Sequence, residues 1–174
     1  MVKEIELSQG MVALVNDADY AELAQHRWCA NRIGGNFYAV RNGPRTDGHR
    51  ARIYLHRIIL GAPPDMGVDH INGDGLDNRR NNLRLATKSQ NGANRTHKQR
   101  GTTSRFLGVR WHKRSGKWHA EIQVNGKQKT LACFDSEIDA ALAYNEAALE
   151  LHGEFASIND LDNPGEIISA AENA

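Results

Sequence analysis

Asp69 and His70 stand side by side in the short run Val68-Asp69-His70, and Asn82-Leu83-Arg84 begins twelve residues after the histidine. Gln90-Asn91 follows. An imidazole is the side chain whose ordinary pKa lets it take up a proton near neutral pH. Carboxylate and amide oxygens are hard donors, suited to a hard divalent cation. A proton acceptor beside such a cation could activate water and steady negative charge as it develops. Each residue also has a plainer reading: His70 as a loop histidine, Asn82 as a turn cap, Asn91 as a solvated helix residue.

The elements that must position these groups are short. Val68 to His70 reads as a strand. Ile71 to Asn82 is too rich in Gly, Asn and Asp for regular structure and reads as a long loop. Leu83 to Ala86 is a second strand. Thr87-Lys88-Ser89-Gln90 fits a capping box, so a helix should run from about Lys88 to Asn94. Upstream, Val2 to Val15 alternates around Gln9-Gly10 as a hairpin would. Asp17-Ala18-Asp19 opens a helix through about His26, with Tyr20, Leu23 and Ala24 as its apolar stripe. Trp28 to Ala30 and Asn36 to Arg41 read as strands joined at Gly34-Gly35. Asn42 to Gly48 is a loop by composition, Ala51 to Leu55 a strand, and His56 to Leu60 a short helix stopped by Gly61-Ala62-Pro63-Pro64.

Arg95 to Arg105 is polar, basic and aperiodic, which reads as a linker. Beyond it, Phe106 to Trp111, Trp118 to Val124 and Lys129 to Phe134 are strand-like. Ser115-Gly116 and Asn125-Gly126 separate them, and Asn-Gly is a strong hairpin signal. From Ser136 the period becomes helical through about His152, with Gly153 at the C-cap position. The last dozen residues read as frayed.

The net charge of +1 conceals segregation: residues 79–118 hold twelve Lys or Arg and no Asp or Glu, whereas residues 130–174 hold ten Asp or Glu and no Lys or Arg. The basic block, interleaved with Phe106, Trp111 and Trp118, suits a polyanion whose phosphates it could neutralise. No apolar run is long enough to span a membrane. The start, Met1-Val2-Lys3-Glu4, lacks the apolar core of a secretory signal. Cys29 and Cys133 lie far apart and offer too few soft ligands for structural zinc. An intracellular, reducing setting is the expectation.

The Asp-His pair, the later Asn-Leu-Arg and the helix carrying Asn91 together resemble the HNH (ββα-metal) nuclease family. The resemblance extends upstream through Ala51-Arg52-Ile53-Tyr54-Leu55-His56-Arg57, as in phage and intron-borne homing endonucleases. It implies a metal-dependent cut in a phosphodiester. His70 would be the general base, with Asn82 orienting its imidazole. Asp69 and Asn91 would hold one divalent metal, Mg2+ or Mn2+, with water and phosphate oxygens completing the shell. Many members have His where Asn91 stands. His56 is a candidate either to support the site or only to pack.

Residues 106–159 resemble the DNA-binding domain of plant ethylene-response factors. The resemblance rests on Phe106-Leu107-Gly108-Val109-Arg110, Gly116-Lys117-Trp118-His119-Ala120-Glu121-Ile122, Leu131-Ala132-Cys133-Phe134, Ala140-Ala141-Leu142-Ala143-Tyr144, Ala147-Ala148 and Gly153 to Asn159. It implies a sheet that lays one face in the major groove of double-stranded DNA. Leu107 and Thr130 depart from the plant pattern, so a target sequence does not carry over. The DNA-contact candidates are Arg84, Arg95, Lys98, Arg100, Arg105, Arg110, Trp111, Lys113, Arg114, Gln123, Lys127 and Lys129.

The expected fold is α+β: a ββα-metal nuclease region followed by a small three-stranded antiparallel sheet packed on one helix. The expected organisation is a nuclease region with a β-rich extension over 1–94, a basic linker over 95–105, a reader over 106–160 and an acidic tail over 161–174. The expected protein is a site-specific endonuclease of the homing type, acting as a monomer on DNA in the cytoplasm of a host cell. The rivals are a non-catalytic DNA-binding regulator and, less favoured because the RNA major groove is too narrow, an RNA-binding protein.

Overall fold

The computed structural model describes residues 1–94, 103–124 and 126–172, and the chain divides into two compact units, Met1–Thr87 and Lys88–Ala174. The first unit opens with the antiparallel strands β1 (Val2–Glu6) and β2 (Val12–Asn16), where Ile5 lies opposite Ala13. Their alternation sends Ile5, Ala13 and Val15 into the core and their neighbours outward. Helix α1 (Asp17–Leu23) is shorter than its expected run to His26. Gln25 N–H and His26 N–H reach back only three residues, to Glu22 and Leu23, so the last turn tightens out of α geometry. Trp28 Nε1 then donates to the Leu23 carbonyl at 2.8 Å and seals that end.

A three-stranded antiparallel sheet follows, in the order β3 (Cys29–Ile33), β4 (Asn36–Thr46), β5 (His49–Tyr54). The loop expected over 42–48 is instead the end of a long hairpin. Asp47 (φ 49) and Gly48 (φ 81) make its two-residue turn, and an Asp-Gly pair suits that conformation. The proline at 44 is absorbed by a register shift between Asn42 and Arg45. Helix α2 (Leu55–Leu60) ends at Gly61 (φ 57).

From there Arg57 steers the chain into the site. Its guanidinium donates to the carbonyls of Met66 (2.7 Å), Ala62 (3.1 Å) and Pro63 (2.7 Å). The chain enters β6 (Gly67–His70), which pairs antiparallel with β7 (Leu83–Ala86) across the long loop. The first core gathers Ile5, Val15, Leu23, Trp28, Leu55, Ile59, Val68 and Leu83.

The second unit begins with α3 (Lys88–Ala93). Its sheet runs β8 (Val109–His112), β9 (Lys117–Val124), β10 (Lys127–Phe134), with β9 central, and α4 (Glu137–His152) packs across one face. The helix is N-capped by Ser136, whose Oγ accepts from Asp139 N–H at 3.3 Å. Ala140, Ala141, Tyr144 and Ala148 are its buried positions, and small residues there let it lie close to the sheet. Gly108 takes φ 72 directly beneath Tyr144, where a Cβ would run into the ring. The end of the chain is not frayed as expected: β11 (Ser157–Asn159) pairs with β12 (Ile167–Ser169), and Ile167 and Ile168 pack on the core.

Both cysteines are free thiols, and no helix among the described residues is long and apolar enough to cross a membrane. The whole is a mixed α and β protein of several small sheets and few helices.

Candidate active site

Asp69 and His70 end β6, and their cross-strand partners are Arg84 and Leu83. Both are buried, at 3% and 6% exposure. Arg84 grips the carboxylate of Asp69 with Nε and Nη2, each 2.8 Å from Oδ2. Arg84, a DNA-contact candidate by sequence, is therefore engaged inside the unit.

The loop between the strands is a lattice of short polar side chains. Asn82 accepts from Asn72 N–H through Oδ1 (3.0 Å) and donates to Asn72 Oδ1 (2.9 Å) and the Asp77 carbonyl (2.7 Å). Its amide thus holds the loop. The amide facing His70 is that of Asn78, fully buried, with Oδ1 3.4 Å from Nε2. Asn78 Nδ2 already donates to the Leu76 carbonyl at 2.9 Å, which fixes its orientation. Because Asn78 Oδ1 only accepts, this contact favours the tautomer with the proton on Nε2, which leaves Nδ1 as the basic nitrogen.

Residues far back in the chain brace this loop. Leu14 N–H donates to Leu76 O (2.9 Å), and Asn78 N–H donates to Leu14 O (2.8 Å). Asn16 Oδ1 accepts from Arg80 N–H at 2.7 Å, while Asp19 pairs with the Arg80 guanidinium at 2.6 Å. Asn36 donates to the Gly73 carbonyl at 2.9 Å. Gly75 lies so close to β4 that a Cβ would strike the Phe37 carbonyl and the Tyr38 ring.

Around His70 stands an aromatic wall. His56 meets it edge-on at 5.1 Å between ring centroids, Tyr38 lies 5.8 Å from each histidine, and Tyr54 lies 5.4 Å from His56. His56 is buried and its Nδ1 has no hydrogen-bond partner among the described residues. Burial, first, and then the neighbouring His70 and Arg57 push its pKa down to about 3. His70 is also pushed below the ordinary histidine value by burial, against the opposing pull of Asn78, Asp69, Asp74 and Asp77. A ring kept neutral is one able to accept a proton.

Among the described residues, no three His, Cys, Asp or Glu side chains cluster as a metal cage. Apart from the imidazole of His56, the donors near His70 are oxygens, which fit a hard cation better than zinc. Such an ion would draw much of its shell from water or substrate. Asn91 is exposed on α3, in the second unit.

In the second unit, strand alternation sorts the sequence candidates. Arg110 and His119 are cross-strand partners, and so are Gln123 and Gln128, on the sheet face away from α4. Buried Glu121 on that face accepts from Arg110 (2.6 Å) and from Gln128 (2.5 Å). Trp111 pairs with Trp118, and Lys127 and Lys129 pair with Val124 and Ile122, all on the opposite row. Lys113 and Arg114 are exposed in the β8–β9 turn, and Arg105 bonds Glu137 at 3.2 Å. Arg95, Lys98 and Arg100 lie outside the described residues. Sequence reasoning missed Asn78, Tyr38 and Tyr54 at the first site and Gln128 at the second. A period-two count along β9 and β10 would have found Gln128; nothing in the loop's composition singles out Asn78.

A family model described as HNH endonuclease matches residues 54–93, and one described as AP2 domain matches residues 104–154. An uncharacterized HNH endonuclease of Acanthamoeba polyphaga mimivirus is 31% identical over 160 residues, covering 88% of this chain and 78% of that protein. The chain belongs to the HNH endonucleases and carries an AP2 domain behind the nuclease motif. It is a nuclease. Protein 3.8 of Escherichia phage T7 is 33% identical over 94 residues, 54% of this chain and 76% of that protein. The APETALA2-like protein 2 of Oryza sativa subsp. indica is 40% identical over 60 residues, which is 34% of this chain and 14% of that protein. No solved structure matches.

Proposed function

We propose that the chain is a site-specific DNA endonuclease of the homing type, in which His70 takes the proton from the attacking water through Nδ1. The observation that carries this reading is the buried His70 ring, its pKa lowered by burial, held against Asn78 Oδ1 directly beside Asp69. Asp69 and, by the family resemblance, Asn91 are the protein ligands for a divalent ion, Mg2+ or Mn2+. When bound, that ion supplies charge stabilisation at the phosphate and the leaving oxygen. His56, Tyr38 and Tyr54 keep water from solvating the back of the base. The AP2 domain selects the duplex, with Arg110 as its foremost base or phosphate contact, and tethering concentrates the cutter near the chosen site. The protein acts as a monomer on DNA inside the host cell.

One observation favours the rival regulator: Asp69 is held by Arg84, so a ligand role requires that carboxylate to serve both. Cleavage of supercoiled plasmid and of host DNA decides. Nicking or linearisation with magnesium or manganese, abolished by EDTA and by His70→Ala while DNA binding persists, is the expected result. Salt-sensitive binding of a confirmed target with no cleavage under either metal would favour the regulator.

A further inference from the structure

The β4–β5 hairpin gives Tyr38 and Tyr54 at its base to the wall around His56 and His70, whereas its outer part, residues 42–52, takes no part in the site as described. Residues 23–64 contain seven Arg, no Lys and a single acidic residue, Asp47. Three of the arginines, Arg45, Arg50 and Arg52, are exposed on the hairpin. None of the three has an ion-pair partner among the described residues.

The register shows that they form a row. Arg52 lies opposite Asn42 and Arg50 opposite Arg45, so Arg50 and Arg52 share one face by strand periodicity. Arg45 is three residues beyond Asn42 and would point to the other face of an unbroken strand. The shift at Gly43-Pro44 adds one residue and returns it to the same face. Glycine fits closely there: a Cβ at Gly43 would lie 3.1 Å from the Ala51 carbonyl oxygen and 3.2 Å from Ile53 Cδ1, so a neighbour would have to shift to admit it. The bulge thus sets Arg45 directly across from Arg50. Like charges directly opposite one another destabilise a sheet, and no carboxylate among the described residues pairs with them.

The same face continues, two residues at a time, through Tyr54 on β5 and through Val40 to Tyr38 on β4, the tyrosines of the wall around His56 and His70. At roughly 3.3 Å per residue, the row begins about 7 Å from Tyr54 and ends near the hairpin tip. Arg32 and Arg41 belong to the opposite face, where Arg32 covers Phe37 and Arg41 covers Trp28.

We propose that the β4–β5 hairpin is a second DNA-binding element, whose row of Arg45, Arg50 and Arg52 neutralises duplex phosphates beside the bond presented to His70. A two-stranded ribbon fits the major groove, and an all-arginine row with no carboxylate among it complements a polyanion. The inference rests on the reading of the chain as a DNA endonuclease. It assigns to this ribbon the duplex next to the cut, apart from the stretch read by the AP2 domain.

The test uses the full chain on a duplex carrying its confirmed target, in EDTA so that binding is read without cleavage. Wild type, the triple variant Arg45→Gln, Arg50→Gln, Arg52→Gln and the opposite-face control Arg32→Gln are titrated across salt concentrations. Loss of three phosphate contacts lowers the slope of log K against log salt by about 2.7 in magnitude. The triple variant should also lose a patch of hydroxyl-radical protection beside the AP2 footprint, while Arg32→Gln keeps both. An unchanged slope and footprint in a triple variant with wild-type thermal unfolding overturns the proposal. So does an equal effect of Arg32→Gln, or equal binding to duplex RNA of the same sequence. A parallel magnesium digest by wild type reports separately on the nuclease reading, because the binding result stands or falls without it.

Discussion

His56 makes the first unit acid-labile in a way that one substitution should remove. Its pKa is about 3 in the fold against 6.5 as an unperturbed side chain, because the ring is buried and, to a lesser degree, because His70 and Arg57 stand beside it. The folded state therefore binds fewer protons than the unfolded chain between these values. Stability from this group is fully present above pH 6.5 and is lost as the pH falls towards 3. At pH 5 the loss is 1.5 units below 6.5, or about 2 kcal/mol, and at pH 4.5 it is nearly 3 kcal/mol. His70 is depressed by the same cause and adds to the loss in the same direction. The assay is urea unfolding of the full chain at pH 7.5, 6, 5 and 4.5, comparing wild type with His56→Phe. Phenylalanine keeps the ring packing against Tyr38, Tyr54 and His70 and has nothing to protonate. The variant should gain roughly 2 kcal/mol on wild type between pH 7.5 and pH 5. Parallel pH profiles for the two proteins would refute the reasoning, because they would mean that His56 titrates alike folded and unfolded.

Two substitutions in the loop separate its construction from its chemistry. Gly75→Ala sets a methyl group against the Phe37 carbonyl and the Tyr38 ring, so it should cost at least 1–3 kcal/mol of stability, read as a lowered urea midpoint, and should lower cleavage with it. Asn78→Ala removes the acceptor at His70 Nε2 and should lower kcat by about 10–100-fold with DNA affinity unchanged, measured by single-turnover cleavage of saturating target.

The parts of this molecule that sequence could reveal are those whose signal is local. Asp69-His70, the two strands and the helix after them follow from a few adjacent residues each, and so do the three strands and the helix of the AP2 domain. Both strands of the hairpin at 36–54 are legible, but its outer part was hidden because Gly43-Pro44 reads as a loop, whereas in the sheet it is a bulge that keeps pairing on either side of it. The terminal strand β12 was hidden because three residues, Ile167–Ser169, carry too short a pattern to stand out from an acidic tail. Asn78 could not be told from Asn72 or Asn82 by type, since a loop of interchangeable amides is sorted only by its folded geometry. The role of the first fifty residues was illegible for a different reason. Asn16 and Asp19 meet Arg80 across more than sixty positions, and no window of sequence spans such a contact.

The two hydrogen bonds that stitch Leu14 to Leu76 and Asn78 bear on portability. The nuclease family match begins at residue 54, yet the loop that orients its histidine is held by a strand ending at Asn16. The motif is therefore not a cassette. A graft that carries residues 54–93 into another scaffold would transplant the reacting groups without the scaffolding that keeps Asn78 aimed at the imidazole. Any fusion enzyme assembled from this chain has to take its cutting half from the first residue of β1 onward.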